Sequence, residues 1–430
     1  MKHNIQPLLG YSYLKAVSAE GVYITDENGK RYLDGSSGAI TCSIGHSHPR
    51  MIARLKDQLD RLQFVYRSQF GSVEAESLAE KLCLISPDKK YSRSFFVNSG
   101  SEATETAMKV AWQYWQEQGQ PDKVKFIARR KSYHGITLGS LALSGHKLRR
   151  QRFEHTLLQF PVLQSDMEDD TLDEQIEEIE QIIDHEGSHT IAGIVLEPIV
   201  GAAGSAIMPP PGYYQLVREL CDRRDILFIA DEVLTGMGRT GEYFALNHWD
   251  TVADIVAIGK SLGAGYAPIA ATLMQGHILE PIKRGSGLIM SGHTYSGHPF
   301  SCAAALEVLE IIEEENLPAK ATELGSILME ELIEFQRKYD FINKVRGKGM
   351  LLGCELDPDV GGIQSRLVAL AFEEGLLIYP SVGGRDGSKQ NGFLVAPPLT
   401  ISESEIDELI GKLGTALSKL QNQIVINGQL

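Results

Sequence analysis

ILFIADE, residues 226–232, is a run of five apolar residues that leads straight into two carboxylates. A run this short and this apolar reads as a strand buried on both faces. Four more share its character: Ser94–Val97 (SFFV), Val124–Ala128 (VKFIA), Ile191–Leu196 (IAGIVL) and Ile255–Ile258 (IVAI). Helical patterns such as Glu102–Gln118 and Gly212–Arg224 lie between them. Alternation of this kind predicts an α/β chain whose large domain is a mostly parallel sheet flanked by helices.

Polar residues stand at the carboxyl end of four of these runs. SFFV leads into Asn98-Ser99-Gly100-Ser101, IAGIVL into Glu197-Pro198, ILFIA into Asp231-Glu232, and IVAI into Gly259-Lys260-Ser261. Ligands of open α/β sheets bind outside the carboxyl ends of the strands, so these groups are expected to share one site.

Bulk properties narrow the class. The 430 residues suit one large domain and a smaller one, and 43% hydrophobic with 23% charged residues is ordinary globular composition. A net charge of −15 lacks the basic footprint of nucleic-acid binding and disfavours anionic membrane surfaces. The acidic stretch Asp166–Glu186 reads as a solvated helix flank. Five scattered cysteines without a C-x-x-C spacing argue against a disulfide framework and suit a reducing cytosol. The opening MKHNIQPLLGYSYLK lacks a signal-peptide apolar region, and no window approaches eighteen uncharged apolar residues, so a cytoplasmic protein is expected. A composition shift near residue 310 precedes a second α/β pattern. The expected division is 1–50 packing with the small domain, 51–310 as the large domain and 311–430 as the small one.

The motifs each admit a plain reading. IGKSLGAG (258–265) is no P-loop, because Asp254 stands where a glycine is needed; it is no dinucleotide fingerprint either, because of Pro268. A single lysine after a strand is most often solvated. The apolar, glycine-rich flanks of Lys260 favour instead a desolvated, nucleophilic amine. VNSGSEATETAMK (97–109) reads equally as helix capping or as a phosphate site at a helix N-terminus. Asp231, at a buried strand end, needs hydrogen-bond donors or a cationic partner, which an arginine or a protonated heterocyclic nitrogen would supply. Tyr133, in SYHG (132–135), suits the core or the face of a flat ligand, and His134 reads as a hydrogen-bonded structural histidine. His46-Ser47-His48 and the loop HTYSGHP (293–299) lack the ligand spacing of a metal centre, and no metal is expected.

In order along the chain, NSGSEATETAMK, SYHG, LEPIVGAAG, DEVLTGMGRTG, GKSLGAGYAPI, HTYSGHPFSCAAAL and APPL resemble the class III aminotransferases, a branch of the fold type I pyridoxal 5′-phosphate (PLP) enzymes. The resemblance spans about residues 20 to 400 and implies a large PLP-binding domain plus a smaller α/β domain built from both termini. It implies that Lys260 carries PLP as a Schiff base and that Asp231 pairs with the pyridine nitrogen. Val233 and Tyr133 would flank the ring; Ser99, Gly100 and Ser101 would hold the phosphate; Glu197 would have an orienting role. Thr294 matches a threonine that reaches the phosphate of a neighbouring subunit, implying a homodimer or higher assembly. The implied reaction is a ping-pong transamination from an amine or amino acid to a 2-oxo acid. An amino-acid racemase or decarboxylase can use the same residues. A non-catalytic relative would be expected to lose the lysine or the aspartate.

Two positions depart from the glutamate-specialised members: Ala202 stands where those carry a second glutamate, and Leu234 where many carry a glutamine. Both resemble the branch that transfers amino groups from ω-amines or β-alanine to pyruvate. Arg385, in GGRDGSKQNGF, is either a mobile substrate-carboxylate ligand or a plain loop arginine.

Overall fold

The computed structural model describes residues 3–383 and 389–426. Near its amino end, β1 (Ala16–Glu20), β2 (Tyr23–Asp26) and β3 (Arg31–Asp34) form an antiparallel meander. Gly29, at φ 82°, makes the turn between β2 and β3, in a left-handed conformation that costs glycine no side-chain clash.

The central sheet comes next, from β4 (Tyr91–Val97), β5 (Lys125–Arg129), β6 (Val162–Leu163), β7 (Ile191–Leu196), β8 (Leu227–Glu232), β9 (Ile255–Ile258) and β10 (Ala270–Gln275). Their order is β4-β10-β9-β8-β7-β5-β6. The strands β9, β8, β7, β5 and β6 are parallel, whereas β10 runs antiparallel to both β4 and β9. The expected mostly parallel sheet is present, with AATLMQ of β10 as a strand that sequence patterning does not single out.

Strand alternation divides the interior into two packed layers. Leu227 and Ile229 of β8 join one apolar cluster with Ala103, Ala107, Val110 and Ala111 of the helix Gly100–Glu117. Phe228 and Ala230 face the other way, into the larger cluster with Tyr214, Val217 and Leu220 of the helix Tyr213–Arg224. Both faces of β7, β8 and β9 are covered, which explains their unbroken apolar runs.

Beyond the helices Pro299–Glu314 and Leu317–Lys338, β11 (Ile342–Lys348), β12 (Leu351–Leu356), β14 (Tyr379–Gly383) and β15 (Lys389–Val395) form a third sheet in the order β11-β12-β15-β14. The intervening β13 (Leu376–Leu377) instead pairs parallel with β3, so one sheet draws its strands from both ends of the chain. The expected boundary at residue 310 falls inside the continuous helix Pro299–Glu314, which ends at its cap Glu315, followed by Asn316 in a left-handed conformation at φ 49°. Arg385 lies outside the described residues.

Buried Arg239 ties these parts together, donating to Pro397 O at 2.5 Å and to Ser37 Oγ at 3.2 Å. Its burial pulls its pKa down to about 10, opposed by the Asp34 carboxylate. The histidine clusters have structural roles: His46 Nε2 pairs with Asp34 Oδ2 at 2.9 Å, and His298 Nδ1 caps a helix by accepting the Ser301 N–H at 3.3 Å. Among the described residues, no group of three or more His, Cys, Asp or Glu is arranged to hold a metal ion. No described helix is long and apolar enough to cross a membrane.

Candidate active site

The carboxyl ends of β4, β7, β8 and β9 open on the same edge of the sheet, and a cavity of about 150 Å³ lies there. Asp231, Val233 and Leu234 line it from the end of β8, Lys260 from β9, and Glu197 and Ala202 from the segment after β7. Gly100 and Ser101 come from the segment after β4, and Tyr133, His134 and Gly135 from that after β5.

Lys260 begins a tight turn, Lys260–Leu262, with a left-handed φ of 40°. For a residue with a Cβ that conformation costs roughly 1–2 kcal/mol, so the surrounding structure must hold it. The turn does so by closing Leu262 N–H onto Gly259 O at 2.9 Å and Ala264 N–H onto Lys260 O at 3.0 Å. Burial pushes the Lys260 amine below its ordinary pKa. Asp231 and Glu197 oppose that shift, and the Arg149 cation reinforces it.

Asp231 is 5% exposed and hydrogen-bonded on both oxygens. His134 Nδ1 lies 2.8 Å from Oδ2, and the Val233 N–H donates to Oδ1 at 3.1 Å. A carboxylate can only accept, so His134 Nδ1 carries the proton in this contact. In the sequence His134 is legible only as a hydrogen-bonded histidine; its partner is 97 residues away, a separation no local pattern reports.

Glu197 accepts the Tyr133 N–H at 2.8 Å and the Gly201 N–H at 3.3 Å, fixing two walls of the cavity at once. Burial pushes its pKa up to about 7, and the neighbouring Asp231 charge adds to the shift, while His134 and the two backbone donors oppose it. Glu232, by contrast, faces away from the cavity. It accepts from Ala245 N–H at 2.7 Å, Leu246 N–H at 3.0 Å and the Thr235 hydroxyl at 2.8 Å.

At the opposite end, Ser99 is the N-cap of the helix Gly100–Glu117, its Oγ accepting the Glu102 N–H at 3.3 Å. That hydroxyl is engaged in capping, and Ser99 does not line the cavity, whereas Gly100 and Ser101 do. A Cβ at Gly100 would lie 2.7 Å from Val233 Cγ1, so this close approach requires glycine. Gly135, at φ 134°, packs so tightly that a Cβ would lie 2.5 Å from Ser101 Oγ. Ser101 Oγ accepts the Ile136 N–H at 3.0 Å. The first-turn N–H groups and the helix dipole make this end suited to an anion.

Tyr133 lines the cavity half-buried, with the Arg149 guanidinium 5.2 Å from its ring centroid. Thr294 is exposed and lies outside the cavity of a single chain. Its loop abuts the same helix start, where His293 Nδ1 is 3.9 Å from Glu102 Oε1.

Residues 10–417 match the family model described as aminotransferase class-III. The chain belongs to the class-III aminotransferases. It is 47% identical to the uncharacterized aminotransferase YodT of Bacillus subtilis, covering 98% of each chain. Gamma aminobutyrate transaminase 3, chloroplastic, of Solanum lycopersicum is 37% identical over 94% of this chain and 81% of that one. An amine transaminase from an uncultivated Pseudomonas species, solved in its PLP-bound form, superposes with a TM-score of 0.91 at 33% identity, covering 98% of this chain and 99% of that one. As a class-III aminotransferase the chain is a PLP-dependent transaminase with the fold type I architecture.

Proposed function

We propose that this class-III aminotransferase moves an amino group from an amine or ω-amino acid to pyruvate or a similar 2-oxo acid. The observation that carries the proposal is the cavity wall: Ala202 and Leu234 face the same space as Asp231 and Lys260. They put a methyl and an isobutyl group where the glutamate-specialised relatives carry polar side chains.

The residues present fit PLP. Gly100 and Gly135 line the cavity with bare backbone, and a Cβ at either would drive into Val233 or Ser101 and disturb the wall that the cofactor needs. The buried Asp231 carboxylate, held by His134 Nδ1 and the Val233 N–H and open to the cavity, suits a protonated ring nitrogen. Gly100 and Ser101 at the helix start would take the phosphate, with Ser99 shaping that start as its cap. Tyr133 and Val233 would bracket the ring. When bound, PLP supplies the electron sink for negative charge developing on the substrate carbon.

Lys260 is the covalent anchor in this reading and, once displaced, the base. Its lowered pKa keeps Nζ able to take the proton from the substrate carbon and return it. His134 holds the Asp231 carboxylate in place, and Glu197 fixes the Tyr133 and Gly201 backbones. Arg385 is the proposed ligand for the carboxylate of the 2-oxo acid. Thr294 would complete the phosphate site of a second copy. In such a homodimer the second copy would cover Met290 (71% exposed) and Tyr295 (56%), which flank Thr294 in the chain.

A donor screen against pyruvate and 2-oxoglutarate tests the assignment. Turnover with pyruvate is expected; robust turnover with 2-oxoglutarate and none with pyruvate would overturn the inference from Ala202.

A further inference from the structure

Two adjacent arginines beside the cavity are used in different ways. They lie on the short helix Lys147–Arg150, whose Leu148 packs with Tyr133 against Met167, Val200, Ala203, Ile207 and Val382. That contact fixes the helix against the loop carrying Ala202. Arg150 is fully engaged: it donates to Ala142 O at 2.7 Å and Ser144 O at 3.1 Å, and forks onto Glu154 at 2.8 and 3.1 Å. Arg149 is exposed, and no carboxylate among the described residues is hydrogen-bonded or ion-paired to it. Its guanidinium stands over the Tyr133 ring, 5.2 Å from the centroid.

A cation over an aromatic face is held in direction while its N–H fork stays available. Tyr133 lines the cavity, and Arg149, which does not line it itself, stands against the Tyr133 ring. Its charge is also felt at Lys260, where it helps to lower the amine pKa. The cation therefore acts on the reacting end and is itself without an anionic partner among the described residues. A substrate whose amine reaches Lys260 and whose chain runs along Tyr133 would bring a group several bonds from the amine to this guanidinium. A carboxylate matches its fork bidentately.

We propose that Arg149 is a specificity-determining residue that binds the distal carboxylate of ω-amino acid substrates. The proposal rests on the transaminase reading above and deepens it by naming the substrate class and the residue that selects it. It separates two carboxylate sites: Arg149 for the ω-amino acid and Arg385 for the 2-oxo acid.

The test compares the wild-type holoenzyme with Arg149→Gln and Arg149→Lys, using 4-aminobutanoate and butylamine as matched donors and pyruvate as acceptor. In Arg149→Gln the KM for 4-aminobutanoate should rise about tenfold or more, as expected for loss of a charge-assisted bidentate pair. The KM values for butylamine and pyruvate should stay within about twofold, and Arg149→Lys should recover part of the loss. Parallel rises for both donors would overturn the proposal in favour of simple support of Tyr133, and no change for either would overturn it outright. Calorimetric titration of the holoenzymes with butanoate gives a readout independent of turnover: binding should weaken about tenfold in Arg149→Gln, and equal affinity would refute the carboxylate site. A wild-type enzyme that turns over no donor with either 2-oxo acid, yet binds butanoate through Arg149, would instead sink the transaminase reading.

Discussion

At the end of β8 two neighbouring carboxylates enter different environments. Asp231 turns into the cavity, where His134 and the Val233 N–H hold it and leave it facing ligand space. Glu232, one residue on, turns to the other face and is consumed by the Ala245 and Leu246 N–H groups and the Thr235 hydroxyl. Both are buried, at 5% and 1% exposure, so burial alone does not distinguish a working carboxylate from a structural one. The number and kind of donors around each does. Glu232 has three protein donors and an enclosed site, whereas Asp231 is oriented by two and is open to a third partner.

The contrast is sharpest at Lys260, the most committed residue of the cavity side. Lys260→Ala is expected to lower transamination by about 10³-fold or more, the scale of losing a positioned base together with the anchor. Thermal denaturation of the same variant, compared with the wild type as apoenzymes, should show no loss of stability, because the substitution removes an amine whose burial opposes its charge. A large drop in melting temperature would mean that Lys260 also supports the fold. Asp231→Asn comes next, with activity lower by about 10²-fold or more and the fold retained. If Asp231→Asn and Glu232→Gln lowered activity equally, the division between the two faces of β8 would collapse.

Legibility in the sequence divides along the same line. The strands buried on both faces announce themselves, and Ile191–Leu196 and Ile255–Ile258 have in the structure the bounds their apolar runs predict. The polar groups at their ends converge on one cavity because parallel strands point their carboxyl ends the same way. β10 escapes notice because AATLMQ mixes alanines with polar residues; Thr272 is nonetheless buried, its hydroxyl satisfied by Ala103 O at 2.8 Å. Ser99 shows the opposite limit. Its sequence context fits both a cap and a phosphate ligand, and only the Glu102 N–H contact assigns the hydroxyl to the cap. The His134–Asp231 pair and the Arg149–Tyr133 contact join different strands and loops, so the topology creates them and no local spacing encodes them. Residue 310 marks a change in composition that the backbone crosses as unbroken helix.

Gly100 tests the packing that shapes the cavity. In Gly100→Ala the new methyl would meet Val233 Cγ1 at 2.7 Å, an overpacking of about 1–3 kcal/mol. We expect PLP affinity, measured by titrating the apoenzyme, to fall about tenfold. Shortening the opposing side chain in Gly100→Ala/Val233→Ala should restore part of it. Failure of the second substitution to help would show that the loss came from the helix start and not from the Val233 contact.

The smallest effect on activity is expected on the structural side of β8. Burial raises the Glu232 pKa from 4.5 to about 7, opposed by its backbone and hydroxyl donors. The folded protein therefore keeps a proton that the unfolded chain would release between those values. Its contribution to stability is complete below about pH 4.5 and is lost as the pH rises through about 7. Glu197, raised to about 7 by burial and by Asp231, adds to the same decline. Glu232→Gln removes one of the two groups. Melting temperatures measured from pH 5 to 8 should then fall less steeply than in the wild type, roughly by half, with turnover within about threefold. An unchanged slope would mean that Glu232 is ionised throughout this range, its donors outweighing its burial. The two carboxylates of β8 would then differ only in what they face.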